Sequence, residues 1–358
     1  MVTVTTGVHH ILVINSGSSS LKFSLLDVQS ESLIASGIAE RLGTKEASLN
    51  FGANGAKKIG ELLPNADHRA ALRRVVEHIL ALVPHEVDAL GHRKVHGVEY
   101  FRDPVIVDDE VIKRIEELSD LAPLHNPPGA QGIRVASELF PQKPQVAVFD
   151  TAFHQTLPPH AFHYAIPPEF YSKHRIRRYG FHGTSNQYIT QELARRLGRP
   201  LTELQVLTAH LGNGCSATAV KQGKKVDTTM GLTPLEGLVM GTRSGDVDPS
   251  LHLFFQEREG FSLGEITDIL TRKSGLLSVS GVSQDMRSIL QAIDSGNDRA
   301  RLAVDLFCYR LARALVGLAA GLQRAYLHGR HRREQRNHSG ANAKALTNSP
   351  AGDQRDLE

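Results

Sequence analysis

The first strongly patterned stretch of the chain is ILVIN, residues 11–15, a short apolar run ending in a Ser/Gly cluster. Runs of this length between turn signals read as buried strands. The SGSSS segment, residues 16–20, makes a tight turn, and LKFSLLD, residues 21–27, reads as a second strand. After the polar VQSES, LIASGIAERL predicts a third strand. The same pattern returns far downstream. LQVLTAH (204–210) reads as a strand, LGNG as a turn, CSATAV (215–220) as a strand, and VDTT follows the turn KQGKK. Two strand–turn–strand units in two halves suggest an internal duplication, although they share almost no identical residues.

Helical periodicity lies between them. Asp108 or Asp109 can cap a helix with Val111, Ile115 and Leu118 on one face. Ser185 predicts another cap, with Ile189, Leu193 and Leu197 aligned and Gly198 closing the helix. Residues 302–322 form a long apolar pattern, expected as a buried helix. Strands alternating with helices imply an α/β fold. A boundary near residue 150 would divide residues 1–150 from 151–325, with a cleft between the two halves.

Composition narrows the function classes. Of 358 residues, 41% are hydrophobic and 22% charged, as in ordinary globular proteins. Trp is absent and aromatics make up 6%, so platforms for stacking bases are not expected. The net charge of +3 is local: from Arg324 onward seven Lys/Arg face four Asp/Glu, an excess equal to the whole net charge. A basic nucleic-acid-binding face is therefore not expected in the rest of the chain. Two cysteines, Cys215 and Cys308, do not make a disulfide scaffold, and a reducing compartment fits. The opening MVTVTTGVHH lacks a basic stretch before its apolar run, and residues 314–322 are too short to span a bilayer. A cytoplasmic protein without membrane association is expected.

Several segments can carry chemistry. The SGSSSLK segment sets small residues and exposed amides at a turn, with Lys22 beyond. This suits phosphate approach, although a plain hairpin turn has the same appearance and no Walker A motif is present. GHRKVHG (91–97) reads as a basic loop in which Arg93 can hold a carboxylate or phosphate through two hydrogen bonds. In LAPLHNPPGA, His125 reads as structural. Asp150 ends the apolar run VAVFD, where open α/β sheets often present ligand-facing carboxylates. His182 lies between two glycines before a helix, a position suited to phosphate. His210, Leu211, Gly212, Asn213 and Gly214 form the second glycine turn. Arg243 sits in a loop of small residues, where its guanidinium can neutralise charge on a transferring phosphoryl group. Asp285 and Arg287, flanking Met286, have a surface ion pair as their bland alternative. No nucleophile with a positioned base and no CxxC or HExxH spacing stands out. The set suits phosphoryl transfer by positioning and electrostatics.

These residues fall in long motifs that closely resemble the acetate kinases: ILVINSGSSSLKFSLLD, GHRKVHG, LAPLHNP, FDTAFHQTLP, RRYGFHGTSNQY, AHLGNGCS, DTTMGLTPLEGLVMGTRSGDVDP, and SGLLSVSG followed by DMR. The resemblance runs from about residue 11 to about 322, in the family's order. It implies two ribonuclease-H-like domains of the actin/sugar-kinase/Hsp70 type, usually in a homodimer. It also implies reversible, direct in-line phosphoryl transfer from ATP to acetate with Mg²⁺ (or Mn²⁺), giving acetyl phosphate and ADP. By motif, Asn15 resembles a magnesium-site residue and Lys22 a nucleotide-phosphate contact. Arg93 resembles the carboxylate-binding arginine, and Asp150 the acid/base or substrate-orienting residue. His182 and Arg243 resemble the pair that stabilises the transition state. His210 to Gly214 and Asp285 to Arg287 resemble nucleotide-binding segments. A propionate- or butyrate-type acid kinase is the alternative enzyme. A non-catalytic binding protein that keeps the dimer is the alternative class.

The sequence departs from the family at two positions near these motifs. Val98 stands where a second glycine is usual after GHRxVHG, and Asn186 where a histidine is usual after FHGTS. The larger departure is at the end. The family continues with a segment close to FTGGIGENSA, which binds ATP, and later a glutamate that shares the magnesium. Residues 326–358 are instead basic and unpatterned. Residues 326–335 can be encoded so that a reading one base later gives Ile-Phe-Thr-Gly-Gly-Ile-Gly-Glu-Asn. A frameshift just before Tyr326 is therefore expected. So are exposed apolar surface, poor stability and weak ATP-dependent activity in the chain as written.

Overall fold

The computed structural model describes residues 10–322, apart from residue 18 and residues 54–58, 84–86 and 122–125. The expectations for His125 and for the tail after residue 322 lie outside the described residues.

The first half carries eight strands: β1 (His10–Ser16), β2 (Ser20–Asp27), β3 (Ser32–Glu40), β4 (Ser48–Ala53), β5 (Ile59–Leu62), β6 (Ala89–Lys94), β7 (Val105–Ile106) and β8 (Gln145–Phe149). They form one sheet in the order β5-β4-β3-β2-β1-β6-β8-β7. β1 to β5 are antiparallel neighbours, whereas β1, β6 and β8 run parallel. Parallel neighbours need crossovers, usually helical. Here α1 (His68–Leu82) precedes β6, while α2 (Asp109–Glu117) and α3 (Asn126–Leu139) lie between β6 and β8. Leu12, Ile14, Leu21 and Phe23 from the sheet pack with Leu72 and Ile79 of α1 and Ala136 of α3. Each of these Leu, Ile and Phe side chains, fully buried, contributes about 1.5–3 kcal/mol of transfer free energy. Asp108 caps α2, accepting a bond from the Val111 amide at 2.8 Å, as expected. The Pro-rich segment enters α3, with Pro127 and Pro128 in its first turn, where a missing amide proton costs nothing.

The chain continues through α4 (Pro159–Phe162), α5 (Glu169–His174) and α6 (Gly183–Leu197) to a second sheet. Strands β9 (Gln205–Leu211), β10 (Cys215–Lys221) and β11 (Lys224–Thr228) are antiparallel, in the order β11-β10-β9. This repeats the β3-β2-β1 order of the first sheet, as the duplicated sequence pattern suggested. Helices α7 (Leu251–Arg258), α8 (Leu263–Arg272), α9 (Gly275–Ser280), α10 (Met286–Asp294) and α11 (Asp298–Leu322) complete the described chain. Phe307, Leu318 and Leu322 of α11 share a core with Ala217, Ala219, Met230 and Met240. Among the described residues no helix is long and apolar enough to cross a membrane.

Three local expectations are corrected. GHRKVHG is not a basic loop: its first four residues lie in β6, between β1 and β8, and His92, Lys94 and His96 are buried. Helix α6 begins two residues before Ser185. Its cap is His182, and its buried face is Gly183, Asn186, Thr190 and Ala194, while Ile189 and Leu197 are exposed. The polar face wins because Asn186 bonds Thr208 at 2.8 Å and Thr218 at 3.3 Å on the adjacent strands. The long C-terminal helix α11 buries one face only, leaving Leu302, Tyr309 and Val316 exposed.

Candidate active site

Three parallel strands end at the same level, because Ile14 pairs with His92 and Arg93 with Val148. Their ends carry Asn15, Arg93 and, just past β8, Asp150. The strand pleat explains Arg93: its neighbours His92 and Lys94 are buried on the opposite face. Arg93 grips Asp150 with two bonds, one from Nε at 3.1 Å and one from its terminal nitrogen. The Asp150 side chain is 2% exposed and that of Arg93 36%. Thr184 Oγ1 also donates to Asp150 at 3.1 Å. Burying a carboxylate costs free energy that such partners offset.

The backbone of Asp150 is held from both sides. Its amide donates to the Lys94 carbonyl at 2.9 Å, and its carbonyl accepts from the Gly183 amide at 3.0 Å. A side chain at Gly183 would overlap that carbonyl, so only glycine lets the start of α6 approach so closely. His182 therefore sits one residue from the Asp150 backbone, in the left-handed region (φ 58°, ψ 25°). Its Nδ1 lies 2.9 Å from Ser216 Oγ on β10. Its ring stacks on His210 with centroids 4.1 Å apart, and His210 Nδ1 lies 3.0 Å from Ser185 Oγ.

Arg243 approaches from the long loop after β11. A Cβ on Gly214 would lie 3.2 Å from an Arg243 terminal nitrogen and 3.5 Å from His182 Nε2, so both side chains border the second glycine turn. Arg243 has no carboxylate partner among the described residues; it donates to the Pro234 carbonyl at 3.4 Å. Burial, followed by the nearby His210, Arg93 and Arg243, pushes the His182 pKa down to about 3. His182 is thus a neutral imidazole at neutral pH. Burial also lowers the pKa of Arg243, and it lowers that of His210, where Arg93 adds to the effect and Asp150 opposes it. The adjacent Cys215 thiol is raised to about 11 by burial, which removes it as a nucleophile at neutral pH.

The structure therefore gathers Arg93, Asp150, His182, His210, Gly214 and Arg243. Leu211 is half exposed at the end of β9, while Gly212 and Asn213 close the turn; the Asn213 carbonyl accepts from the Gly241 amide at 2.9 Å. Lys22 is exposed on β2, in register with Asn15. The Ser16–Ser20 turn is closed by a Gly17 amide bond to the Ser20 carbonyl at 2.8 Å. Asp285 and Arg287 form an exposed ion pair at 2.8 Å around the start of α10, where Asp285 is the cap and Met286 the first residue. No described contact joins that pair to the histidines. Residues missed from the sequence include Thr184 and Ser216, which orient Asp150 and His182. Their motifs, FHGTS and GNGCS, held the signal, but hydroxyl partners show only in three dimensions.

With this geometry described, comparison with known proteins gives the family. A sequence model of the acetokinase family matches residues 10–327. The chain belongs to the acetokinase family. It is 50% identical over 319 residues to an acetate kinase of Caldanaerobacter subterraneus subsp. tengcongensis, covering 87% of this chain and 80% of that one. It is 51% identical over 320 residues to an acetate kinase of Thermotoga petrophila, covering 87% and 79%. Among solved structures, a propionate kinase from Francisella tularensis superposes with a TM-score of 0.83 at 43% identity, covering 87% of this chain and 80% of that one. The Porphyromonas gingivalis acetate kinase superposes with a TM-score of 0.82 at 42% identity, covering 88% and 80%. The mixed α/β architecture of this acetokinase-family chain is thus that of acetate kinases. The two substitutions noted in its motifs now have environments. Asn186 is buried between Thr208 and Thr218, and Val98 holds a φ of 50°.

Proposed function

We propose that the chain moves a phosphoryl group reversibly between ATP and acetate, forming acetyl phosphate by direct in-line transfer. The observation that carries this reading is the asymmetry of the site: a half-buried Arg243 without a carboxylate partner among the described residues and a neutral His182 face a charge-paired Arg93 and Asp150. A half-buried guanidinium without a carboxylate partner is suited to the charge spread over a transferring phosphoryl group. His182, neutral, donates or accepts one hydrogen bond at the same place. Arg93 recognises the acid's carboxylate, which competes with Asp150 for the same nitrogens. A carboxylate acceptor is already ionised and needs no general base, so Asp150 serves chiefly to orient Arg93. Lys22, His210 to Gly214 and Asp285 to Arg287 are assigned to the nucleotide.

Magnesium fits as an ion held mainly by the nucleotide. Among the described residues no group of three His, Cys, Asp or Glu side chains is arranged for a metal. Mg²⁺ commonly takes one or two protein oxygens beside phosphates and water. Asn15, at the end of β1, can offer one, and the ion would neutralise phosphate charge when bound. We further read the protein as a cytoplasmic homodimer.

The Francisella tularensis propionate kinase, at a TM-score of 0.83, supports a second reading with a longer acid as substrate. The test traps acyl phosphate as the hydroxamate with Mg-ATP and acetate, propionate or butyrate. It compares the chain as written with one whose reading frame is shifted just before Tyr326. Acetate-dependent product at the highest kcat/KM is expected, with the shifted chain the more active. Product from neither chain with any acid would refute the function. Equal activity in both would mean that the altered segment is dispensable and would refute its expected part in the nucleotide site, while the nucleotide sequence before Tyr326 decides the frameshift.

A further inference from the structure

Lys225 is a buried amine with no carboxylate contact among the described residues. It lies in β11, is 0% exposed, and its Nζ sits 2.9 Å from Nε2 and 3.2 Å from Nδ1 of His154. The same Nζ lies 4.1 Å from the Phe153 ring centroid. Both residues are sewn together locally: the Lys225 amide donates to Thr156 Oγ1 at 2.8 Å, and that hydroxyl donates to the Lys225 carbonyl at 3.2 Å. His154 belongs to the short 3-10 turn Ala152–Thr156, which starts two residues after Asp150.

From there the contacts lead to the site. His154 Nε2 donates to the Phe181 carbonyl at 2.8 Å, one residue before His182. The His154 ring fills the space between two glycines of the same loop. A Cβ at Gly180 would lie 2.6 Å from His154 Nδ1, and one at Gly183 would lie 3.3 Å from its Cδ2. So the left-handed His182 backbone is flanked by one hydrogen bond to this imidazole and by two glycines that leave room for it, and that imidazole rests on Lys225.

We propose that Lys225 and His154 form a buried brace that fixes the His182 imidazole at the site, which makes Lys225 a positioning residue for the transfer reaction. The inference rests on the transfer function proposed above. The ring needs its Nε2 proton for the Phe181 carbonyl, so Nδ1 is left as an acceptor for the Lys225 amine. Burial lowers the pKa values of both bases well below their usual ranges, with Asp150 opposing this for Lys225 and His182 adding to it for His154. An uncharged amine matches a site whose side-chain contacts, among the described residues, are an imidazole and a phenyl ring without an anion. A misplacement of about 1 Å at a catalytic group costs on the order of a hundredfold in rate.

The test uses the full chain labelled with ¹⁵N-histidine, as wild type, Lys225→Met, His154→Gln and His154→Ala. Lys225→Met keeps length and apolar volume but removes the amine. The brace predicts that the His182 ring resonances move in Lys225→Met while those of His252, on α7, stay in place. His154→Gln retains a donor for the Phe181 carbonyl and is expected to hold His182 nearer its wild-type position than His154→Ala. In the hydroxamate assay, kcat of Lys225→Met is expected to fall about ten- to a hundredfold, with KM for ATP and acid within about twofold. Unmoved His182 resonances in folded Lys225→Met, or in both His154 variants should Lys225→Met not fold, overturn the brace. A wild type that transfers phosphoryl to no acid refutes the function, while the resonances still decide the positioning.

Discussion

The two flanks of the site handle charge in opposite ways. On the first-sheet side, Arg93 and Asp150 meet in a two-bond ion pair, and Thr184 adds a third bond to the carboxylate. On the second-sheet side, Arg243 donates only to a carbonyl and a thioether among the described residues, and His182 is held neutral. Pairing favours an ordered, rigid arrangement, whereas a half-buried cation without a carboxylate partner raises the local positive potential. The contrast teaches which flank is prepared for an incoming anion. Under the proposed function, the first would exchange one carboxylate for another, and the second would gain a counter-charge when phosphate arrives.

The sharpest way to break this comparison is Arg243→Ala. Removing the unpaired cation should lower kcat by about a thousandfold, as for arginines that act on phosphoryl transition states. KM for the acid should change far less. The assay is hydroxamate formation, in whichever of the written and frame-shifted chains turns over. A loss below tenfold would mean that the exposed lysine and arginine positions supply the charge instead. On the paired flank, Arg93→Ala should act mainly on binding. A lost charge-assisted pair is worth about 1.5–3 kcal/mol, so KM for acetate should rise about ten- to a hundredfold. Loss confined to kcat, with KM unchanged, would move Arg93 from recognition to transition-state stabilisation.

Much of this site was legible in the sequence because its residues lie in contiguous motifs with glycines at fixed places. Strands β1, β2, β9 and β10 were likewise readable from short apolar runs bounded by turns. What was not legible follows from tertiary context. The basic composition of GHRKVHG hides a central strand, because Lys94 satisfies its amine on the Gly129 carbonyl and His92 on Gln145 at 2.6 Å. Periodicity chose the wrong face of α6, because Asn186 is buried by the hydroxyls of Thr208 and Thr218 on the adjacent strands, while the Thr190 hydroxyl donates back to the Asn186 carbonyl within the helix. The brace at Lys225 combines residues 71 positions apart, which no local pattern reports.

A third prediction concerns acid. In the fold His182 has a pKa of about 3, against an ordinary value of 6.5. Between those values the unfolded chain binds a proton that the folded chain refuses. Stability from this group is therefore full above about pH 6.5 and is lost as pH falls towards 3. His182→Gln should flatten part of that slope by a few kcal/mol, read from urea midpoints between pH 7 and 4. Other buried bases, including His92 and His154, leave the remainder. An unchanged slope would mean that His182 accepts its proton in the fold, and the second flank would carry one charge more than argued here.

The smallest expected effect lies behind the paired flank. Val98 follows the Arg93 strand at a φ of 50°, where a β-branched side chain is strained, by about 1–3 kcal/mol. Two bonds hold it there: its amide donates to His96 Nδ1 at 3.0 Å, and its carbonyl accepts from Gln155. Its side chain is 5% exposed, so Val98→Gly also loses buried apolar contact. At an unstrained site, emptying a buried valine and adding backbone freedom would cost about 2–3 kcal/mol. Here relief of strain offsets most of that, and the net change should stay within about 1 kcal/mol. Val98→Ala keeps a side chain in the strained region while losing the same contacts, so it should be no more stable than the glycine variant. Chemical denaturation of the three chains measures this directly. A glycine variant clearly less stable than the alanine one would show that Val98 is held by packing, with little strain stored beside Arg93.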